Sequence, residues 1–248
     1  MDKKIFWISL VAVIISFFGG FLLANALNRS ELNTLRAETE RLKTAPNNSP
    51  NNNSELSLSD EEIRQKIAEA DQNPDNFNFQ KNLGLALYRY AAMKQDALLL
   101  AEVARLLTRA NQKDEKDYDV LITLGNCYFD IGYIKKDNEN LTKAREFYQK
   151  ALTQKPNDAD VRTDLGLTYF LVNPPETDKA LAQFQKSLEA NAKHEKTLQM
   201  MAQALLSQNK AVEAEKYLTK LKEVNPKNQF LPELDSQLSQ TKTDTPNQ

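Results

Sequence analysis

The chain has 248 residues and a formal net charge of −2 at pH 7, and charged residues of both signs, 27% of the total, are mixed along it. This balance argues against nucleic acid as a partner, because such binding requires a basic face. With one Cys, one His and six Gly, the composition excludes an intrachain disulfide, a Cys/His zinc cluster and a glycine-rich phosphate loop.

An uncharged apolar segment follows a short basic tail, residues 1–4. From Ile5 to Leu27 only three polar residues interrupt it, and a helix of that length spans roughly 34 Å, enough to cross a bilayer. The triplet Ala24-Asn25-Ala26 also resembles a signal-peptide cleavage site. The apolar part is longer than a signal core of about 7–15 residues, however, and this favours an uncleaved transmembrane helix over residues 5–27.

The basic residues around this segment give conflicting signals for orientation. Lys3 and Lys4 favour a cytoplasmic N-terminus, whereas four basic residues between Arg29 and Lys43 favour the opposite. A short basic tail before a first apolar segment is typical of a signal-anchor. We therefore expect a single-pass protein of the bacterial inner membrane, with the bulk of the chain in the periplasm.

Two features bear on self-association. Small residues recur at every fourth position of the apolar segment, at Ser16, Gly20 and Ala24, a spacing that lets membrane helices approach closely. Three leucines at coiled-coil spacing follow in residues 28–43, which are predicted to form a juxtamembrane helix. One interpretation is a homodimer through the transmembrane helix. The other is that small residues are simply common in membrane helices.

Helical signals dominate from Ser59 onward. Ser59 and Glu62 form a capping box, and Ile63 and Ile67 follow on one face, while β-branched alternation and hairpin turns are absent. The sequence therefore predicts an all-α domain over residues 60–240. Residues 44–59, rich in Pro, Asn and Ser, are predicted to be a flexible linker, and residues 241–248 a disordered tail.

A Leu-Gly phrase that ends in an aromatic residue recurs within this domain. It reads KNLGLALY from Lys81, ITLGNCYF from Ile122 and TDLGLTYF from Thr163, so the Leu-Gly pairs fall 41 residues apart both times. A looser fourth copy carries Met201-Ala202 instead. In the best copy the phrase is followed by an alanine, an aromatic residue and a helix-ending proline, Ala144, Tyr148 and Pro156.

This pattern resembles the tetratricopeptide repeat family, W-x₂-L-G-x₂-Y followed by Ala-x₃-aromatic and Pro. The resemblance covers about residues 77–228. It implies helical hairpins at 77–117, 118–158, 159–194 and 195–228, stacked into a solenoid between flanking capping helices. The first three copies exceed the standard 34 residues by 7, 7 and 2. We expect the extra residues between the two helices of each hairpin, which makes the first two hairpins taller along one rim.

The resemblance also implies that a concave groove lined by the first helix of each hairpin binds a protein or peptide client. Its groove positions in this chain are Lys81, Leu85, Tyr88, Ile122, Asn126, Phe129, Thr163, Leu167, Phe170, Gln199, Gln203 and Leu206. Tyr88, Phe129 and Phe170 recur at one phase and are expected to form an aromatic ladder, although an aromatic residue there also packs on its neighbours.

One subfamily holds the C-terminal carboxylate of chaperones with Lys, Asn and Arg. Here Lys81 occupies the first clamp position, but Leu85, Thr123, Asp160 and Asp164 occupy the others. Two acids where cations are required would repel a carboxylate, so we do not expect this binding mode.

The sequence leaves three functions open, none of them enzymatic. The first is a membrane-tethered adaptor that binds a client in the groove. The architecture also resembles bacterial cytochrome c maturation factors that present apocytochrome, and a structural subunit that assembles a membrane complex through the convex face is a third interpretation. We expect Cys127 to be a buried apolar residue and His194 a solvated turn residue, and we expect no catalytic residue, metal or cofactor.

Overall fold

The computed structural model describes residues 59–244. The predicted transmembrane helix, the juxtamembrane helix and nearly all of the linker fall in residues 1–58, outside this range, as do residues 245–248. Within the described range the chain forms ten α-helices and no strand. None of these ten helices is both long enough and apolar enough to cross a membrane.

The helices follow one another with short connections. Their bounds are α1 Asp60–Gln72, α2 Phe77–Lys94, α3 Ala97–Lys113, α4 Tyr118–Lys135, α5 Asn138–Gln154, α6 Ala159–Phe170, α7 Thr177–Ala190, α8 Glu195–Ser207, α9 Ala211–Val224 and α10 Leu231–Asp244. Helices α2 to α9 form four pairs, and each pair begins at the residue from which the sequence copies are counted. We call α2, α4, α6 and α8 the first helices, and their partners the second helices.

Side-chain caps define where most of these helices begin. At α1 the predicted capping box is present. The Glu62 backbone N–H donates to the Ser59 hydroxyl, and the Ser59 backbone N–H donates to the Glu62 carboxylate. Helices α2 to α6 each start after an Asn or Asp whose side chain accepts a backbone N–H of the first turn. These oxygens satisfy donors that a helix start otherwise leaves unpaired.

The extra residues of the first two copies are helical rather than looped. Helices α2 and α3 have 18 and 17 residues, as do α4 and α5, against 13 and 14 in α8 and α9. Two residues connect each long pair, and the first of them, Gln95 or Lys136, adopts a left-handed conformation with φ of 52°. Both helices of a long pair therefore extend toward the hairpin turn.

In the third copy, a six-residue connection joins α6 to α7, and Arg145 of α5 anchors it. The guanidinium donates to the Thr168 hydroxyl at 3.1 Å and to the Thr168 carbonyl at 2.9 Å. It also lies 3.6 Å from a carboxylate oxygen of Glu176 and 4.1 Å from the ring centroid of Tyr169. One side chain thus joins the second copy to the end of α6 and the connection after it.

We expect Arg145→Lys to lower the free energy of unfolding by about 1–2 kcal/mol, because lysine keeps the charge but loses the planar fork that serves Thr168, Glu176 and Tyr169 together. Chemical denaturation measures the change. Arg64→Lys on the exposed face of α1 is the matched control and should leave stability unchanged. Equal stability of the Arg145 variant and the control would contradict this role.

The recurring glycine of each phrase is explained by a close approach between the helices of one pair. A Cβ atom on Gly84 would lie 2.6 Å from Leu107, while one on Gly125 would lie 2.5 Å from the Tyr148 ring and one on Gly166 would lie 2.5 Å from the Phe184 ring. All three facing side chains are fully buried. The Leu-Gly phrase therefore recurs because each of the first three pairs has a site without a side chain where the second helix inserts a large one.

Each second helix packs on its own first helix and also on the first helix of the next copy. The buried apolar residues form two clusters, one from α1 to α4 and one from α4 to α10, and helix α4 contributes to both. Cys127 is buried in the first cluster as a free thiol, as predicted. At the end, Leu231, Leu234 and Leu238 of α10 complete the core. Helix α10 runs to Asp244, so the prediction of a tail without structure from residue 241 is wrong for its first four residues. An ion pair at 2.8 Å between Lys242 and Glu215 supports this last turn.

Candidate functional site

The candidate site is the row of first helices, α2, α4, α6 and α8, which we call the first-helix row. Neighbouring first helices contact one another directly at α2–α4 and α6–α8. In the tetratricopeptide pattern this row lines the concave side. The five predicted groove residues that are half-buried here, and so retain accessible surface, are Lys81, Leu85, Ile122, Asn126 and Phe170.

The structure does not form the predicted aromatic ladder on an open face. Tyr88 is 8% exposed and Phe129 is 1% exposed, and only Phe170 is half-buried. The reason is that these positions lie where one copy meets the next. The Tyr88 hydroxyl donates to Asp130 of α4, and Phe129 packs in the same core cluster as Leu167.

The prediction that Thr163 and Leu167 line the groove is also wrong, because both are completely buried. Leu167 belongs to the apolar core. Thr163 belongs to a polar network between copies three and four, in which its hydroxyl lies 3.0 Å from that of Ser187 and 2.6 Å from that of Thr197. Since α6, α7 and α8 meet at this point, the side chain is enclosed by its neighbours rather than presented to a client.

The groove residues of the fourth copy are buried as well. Gln199, Gln203 and Leu206 are 5%, 6% and 6% exposed. The Gln199 side-chain oxygen accepts from Asn228 at 3.3 Å, which ties α8 to the turn before α10. The side-chain oxygen of Gln203 is buried without a hydrogen-bond donor among residues 59–244. These three positions therefore stabilise the C-terminal end of the solenoid more than they offer contact surface.

Ion pairs cross the first-helix row at the junctions between copies. Lys81 of α2 lies 2.7 Å from Asp117 and 3.2 Å from Asp119 at the start of α4. Lys196 of α8 lies 2.5 Å from Asp164 of α6. Lys81 is thus engaged by carboxylates and does not act as the free cation that a carboxylate clamp requires.

Asp130 is the most unusual group of the row. It is 3% exposed, and its carboxylate accepts from the Tyr88 hydroxyl at 3.0 Å. No Lys, Arg or His of the described range forms an ion pair with it. Burial, reinforced by the nearby Asp164 carboxylate, raises the pKa of Asp130 to about 7. Its charge is therefore poised to change near neutral pH.

His194 has a more specific role than the predicted solvated turn residue. It is the residue before α8, where its Nδ1 lies 2.6 Å from the Thr197 hydroxyl and its Nε2 lies 3.0 Å from an Asp160 oxygen. Hydrogen bonding from His194 lowers the pKa of Asp160, although burial acts in the opposite direction. The imidazole thus joins the starts of α6 and α8.

Sequence reasoning missed Asp130, Asp119 and Lys196 as members of the row. For Asp130 a signal was available, because an aspartate directly follows the phrase in the apolar run NCYFDIGY, where a helix facing a core would carry an apolar residue. For Lys196 no signal was available, since its pairing with Asp164 depends on how two copies stack.

Residues 59–244 were compared with the requirements of a metal site and of a binding cavity. No group of three His, Cys, Asp or Glu side chains converges as a metal site there. A depression of about 450 Å³ lies open to solvent between α1 and α2, lined mainly by asparagines, Asn73, Asn76, Asn78 and Asn82.

Comparison with known proteins agrees with this geometry. The sequence profile described as "Tetratricopeptide repeat" matches residues 125–158, which lie within the second copy. The 131 kDa subunit of transcription factor tau from Saccharomyces cerevisiae is 34% identical over 95 residues, which are 33% of this chain and 9% of that protein. The chain therefore spans only a small part of that curated relative.

Two solved structures share the fold over most of the described range. MamA has a TM-score of 0.54 at 20% identity and covers 69% of this chain and 98% of its own. TTC0263, a tetratricopeptide repeat protein of Thermus thermophilus, has a TM-score of 0.53 at 19% identity, and the match covers 73% of this chain and 90% of TTC0263. At such identities the likeness shows the fold alone.

Three observations define the class of fold: the helix pairs, the large side chain opposite each recurring glycine, and these similarities. Residues 125–158 match the tetratricopeptide repeat profile, and residues 59–244 form an all-helical solenoid with the fold of tetratricopeptide repeat proteins. Solenoids of this class present extended surfaces for binding other proteins.

Proposed function

We propose that the protein is a non-catalytic scaffold that binds a segment of a partner protein along the first-helix row. The observation that carries this proposal is the accessible part of the row. Leu85, Ile122 and Phe170 keep accessible apolar surface on three successive first helices, with the polar Lys81 and Asn126 among them. Such a mixture on neighbouring helices suits an extended peptide better than a small molecule, which prefers an enclosed pocket, whereas the depressions that involve α2 and α6 are open to solvent.

Leu85→Glu and Ile122→Glu are each expected to weaken partner binding by about tenfold or more, since each places an unpaired charge on the apolar part of the row. Both side chains are half-buried, so the helical content and the cooperative thermal transition should persist. Binding is measured with the partner captured by the crosslinking described next. Unchanged affinity in both variants would refute the row as the binding surface.

Site-specific photo-crosslinking in cells identifies the surface independently. A photoreactive residue at position 85 or 122 should give a discrete adduct. The controls carry it at Leu98 of α3 and Val212 of α9, which are 77% and 70% exposed on second helices. Adducts only from positions 98 and 212 would instead favour the structural assembly subunit, which would use those exposed apolar side chains.

The proposal includes a tether to the bacterial inner membrane through residues 5–27, with the solenoid in the periplasm. Its support is the length and the uncharged composition of that segment. Protease added to intact spheroplasts should digest the solenoid. Protection of the solenoid until the membrane is broken would place it on the cytoplasmic side and overturn the proposed orientation.

A further inference from the structure

In two ion pairs that join neighbouring first helices, the carboxylate faces solvent while its cationic partner is largely covered. The side chains of Lys81 and Lys196 are only 18% and 19% exposed, and that of His194 only 14%. By contrast, the side chains of Asp119 and Asp160, which pair with Lys81 and His194, are 68% and 51% exposed. At these junctions the cation is withdrawn between two helices while the outer carboxylate remains accessible.

A second and independent observation comes from Asp130 in the middle of the row. It is 3% exposed and hydrogen-bonded to the neutral Tyr88 hydroxyl, and no cation of residues 59–244 is paired with it. Lys196 favours the charged form of this buried carboxylate but forms no ion pair with it, so a further positive charge brought near it from outside would stabilise it. The field of Asp130 therefore acts in the same direction as the exposed Asp119 and Asp160.

We propose that the first-helix row binds a partner segment rich in lysine and arginine, with Asp119, Asp130 and Asp160 supplying the countercharge. This proposal rests on the proposed function and specifies its ligand. The exposed carboxylates pair with cationic side chains directly, Asp130 attracts them through its field, and the apolar surface of Leu85 and Ile122 packs against the methylene stems of the same side chains.

The test uses the full-length protein and three short fluorescent peptides that share an alanine background and carry lysine, glutamine or glutamate. Fluorescence anisotropy should show the lysine peptide binding about tenfold or more tightly than the glutamine peptide, with a clear loss at higher salt and no binding of the glutamate peptide. The double variant Asp119→Asn/Asp160→Asn should lose most of this preference. A matched double variant on the second helices and the C-terminal cap, Asp178→Asn/Asp235→Asn, should keep it.

The pH dependence of binding to the lysine peptide gives a further test. The groups that face Asp130 are Tyr88 of α2, Tyr148 of α5, Asp164 of α6 and Lys196 of α8, with Cys127 beside it on α4. Burial raises the pKa of Asp130 to about 7 and also raises the pKa of Asp164. Affinity for the lysine peptide should therefore rise severalfold as the pH increases from below 7 to above it. In Asp130→Asn this rise should disappear.

The outcomes separate the two proposals. If the glutamine peptide binds as tightly as the lysine peptide and competes with crosslinking from position 122, the proposal of a basic partner is wrong. The proposal that the first-helix row binds a partner is then retained. If no peptide binds and position 122 gives no adduct, both proposals fail. A peptide with the sequence of residues 29–43 forms one more arm, and its binding more tightly than the lysine peptide would make this chain's own segment the occupant and overturn the proposal of an external basic client.

Discussion

Replacing Gly166 by alanine is expected to destabilise the solenoid by about 1–3 kcal/mol, because the new Cβ atom would lie 2.5 Å from the Phe184 ring. Helix propensity alone predicts the opposite sign, since alanine is favoured over glycine in a helix interior by about 1 kcal/mol. Phe184 is fully buried and cannot withdraw without moving α7. Urea denaturation of the full-length protein gives the difference in the free energy of unfolding.

A double-mutant cycle isolates the contact. In a Phe184→Leu background, where the facing side chain is smaller and can rotate away, Gly166→Ala should become neutral or stabilising. The natural fourth copy, which carries Ala202 at the equivalent position, shows that alanine is compatible with the repeat when its surroundings allow it. Equal effects of Gly166→Ala in both backgrounds would exclude the Phe184 contact as the reason for the glycine.

Replacing Asp130 by asparagine is expected to stabilise the protein above pH 7 and to remove part of its pH dependence. Burial raises the pKa of Asp130 in the folded protein from 3.8 to about 7. Between these values the folded protein retains a proton that the unfolded chain has lost, so this residue makes stability fall as the pH rises from about 4 to about 7. A shift of this size corresponds to at most about 4 kcal/mol.

The measurement is the free energy of unfolding of wild type and Asp130→Asn across this pH range. Asparagine can still accept from the Tyr88 hydroxyl, so the two proteins should be similarly stable near pH 5 and should diverge toward pH 8. Carboxylates such as Asp71 and Asp137, whose pKa values are lowered by hydrogen bonds in the folded state, act in the opposite direction and mainly at more acidic pH. A constant difference between the two proteins at every pH would disprove the assignment to Asp130.

The helical architecture could be predicted because its signals are local. Ser59 and Glu62 mark the start of α1, and an alanine-to-aromatic spacing with a closing proline marks the second helix of the best copy, Ala144, Tyr148 and Pro156. These patterns depend on neighbours within one or two helical turns, which a linear sequence displays directly. The form of the extra residues was not predictable in the same way. Seven additional residues can make a loop or lengthen two helices, and the outcome depends on a turn that tolerates Gln95 in a left-handed conformation.

The candidate site was predicted less well than the fold, because accessibility depends on the neighbouring copy. Leu85 and Phe129 both occupy groove positions of the family pattern, yet Leu85 is half-buried and Phe129 is 1% exposed. The difference arises from how closely the following copy covers each residue. Thr163 is a further case, since its burial follows from a network with Ser187 and Thr197 that assembles only when three helices meet.

By itself, the sequence determined the helical class, the period of the repeats, and the glycine and large side chain that join each of the first three pairs of helices, because these depend on spacing along one chain. Only the tertiary structure decided which first-helix residues remain accessible and which charges stay unpaired. Lys81 and Lys196 lie in the junctions between copies, while Asp130 is buried and forms no ion pair within residues 59–244. The physical reason is that burial and ion pairing are properties of the stacked copies, and the angle at which two copies stack is set by many contacts at once.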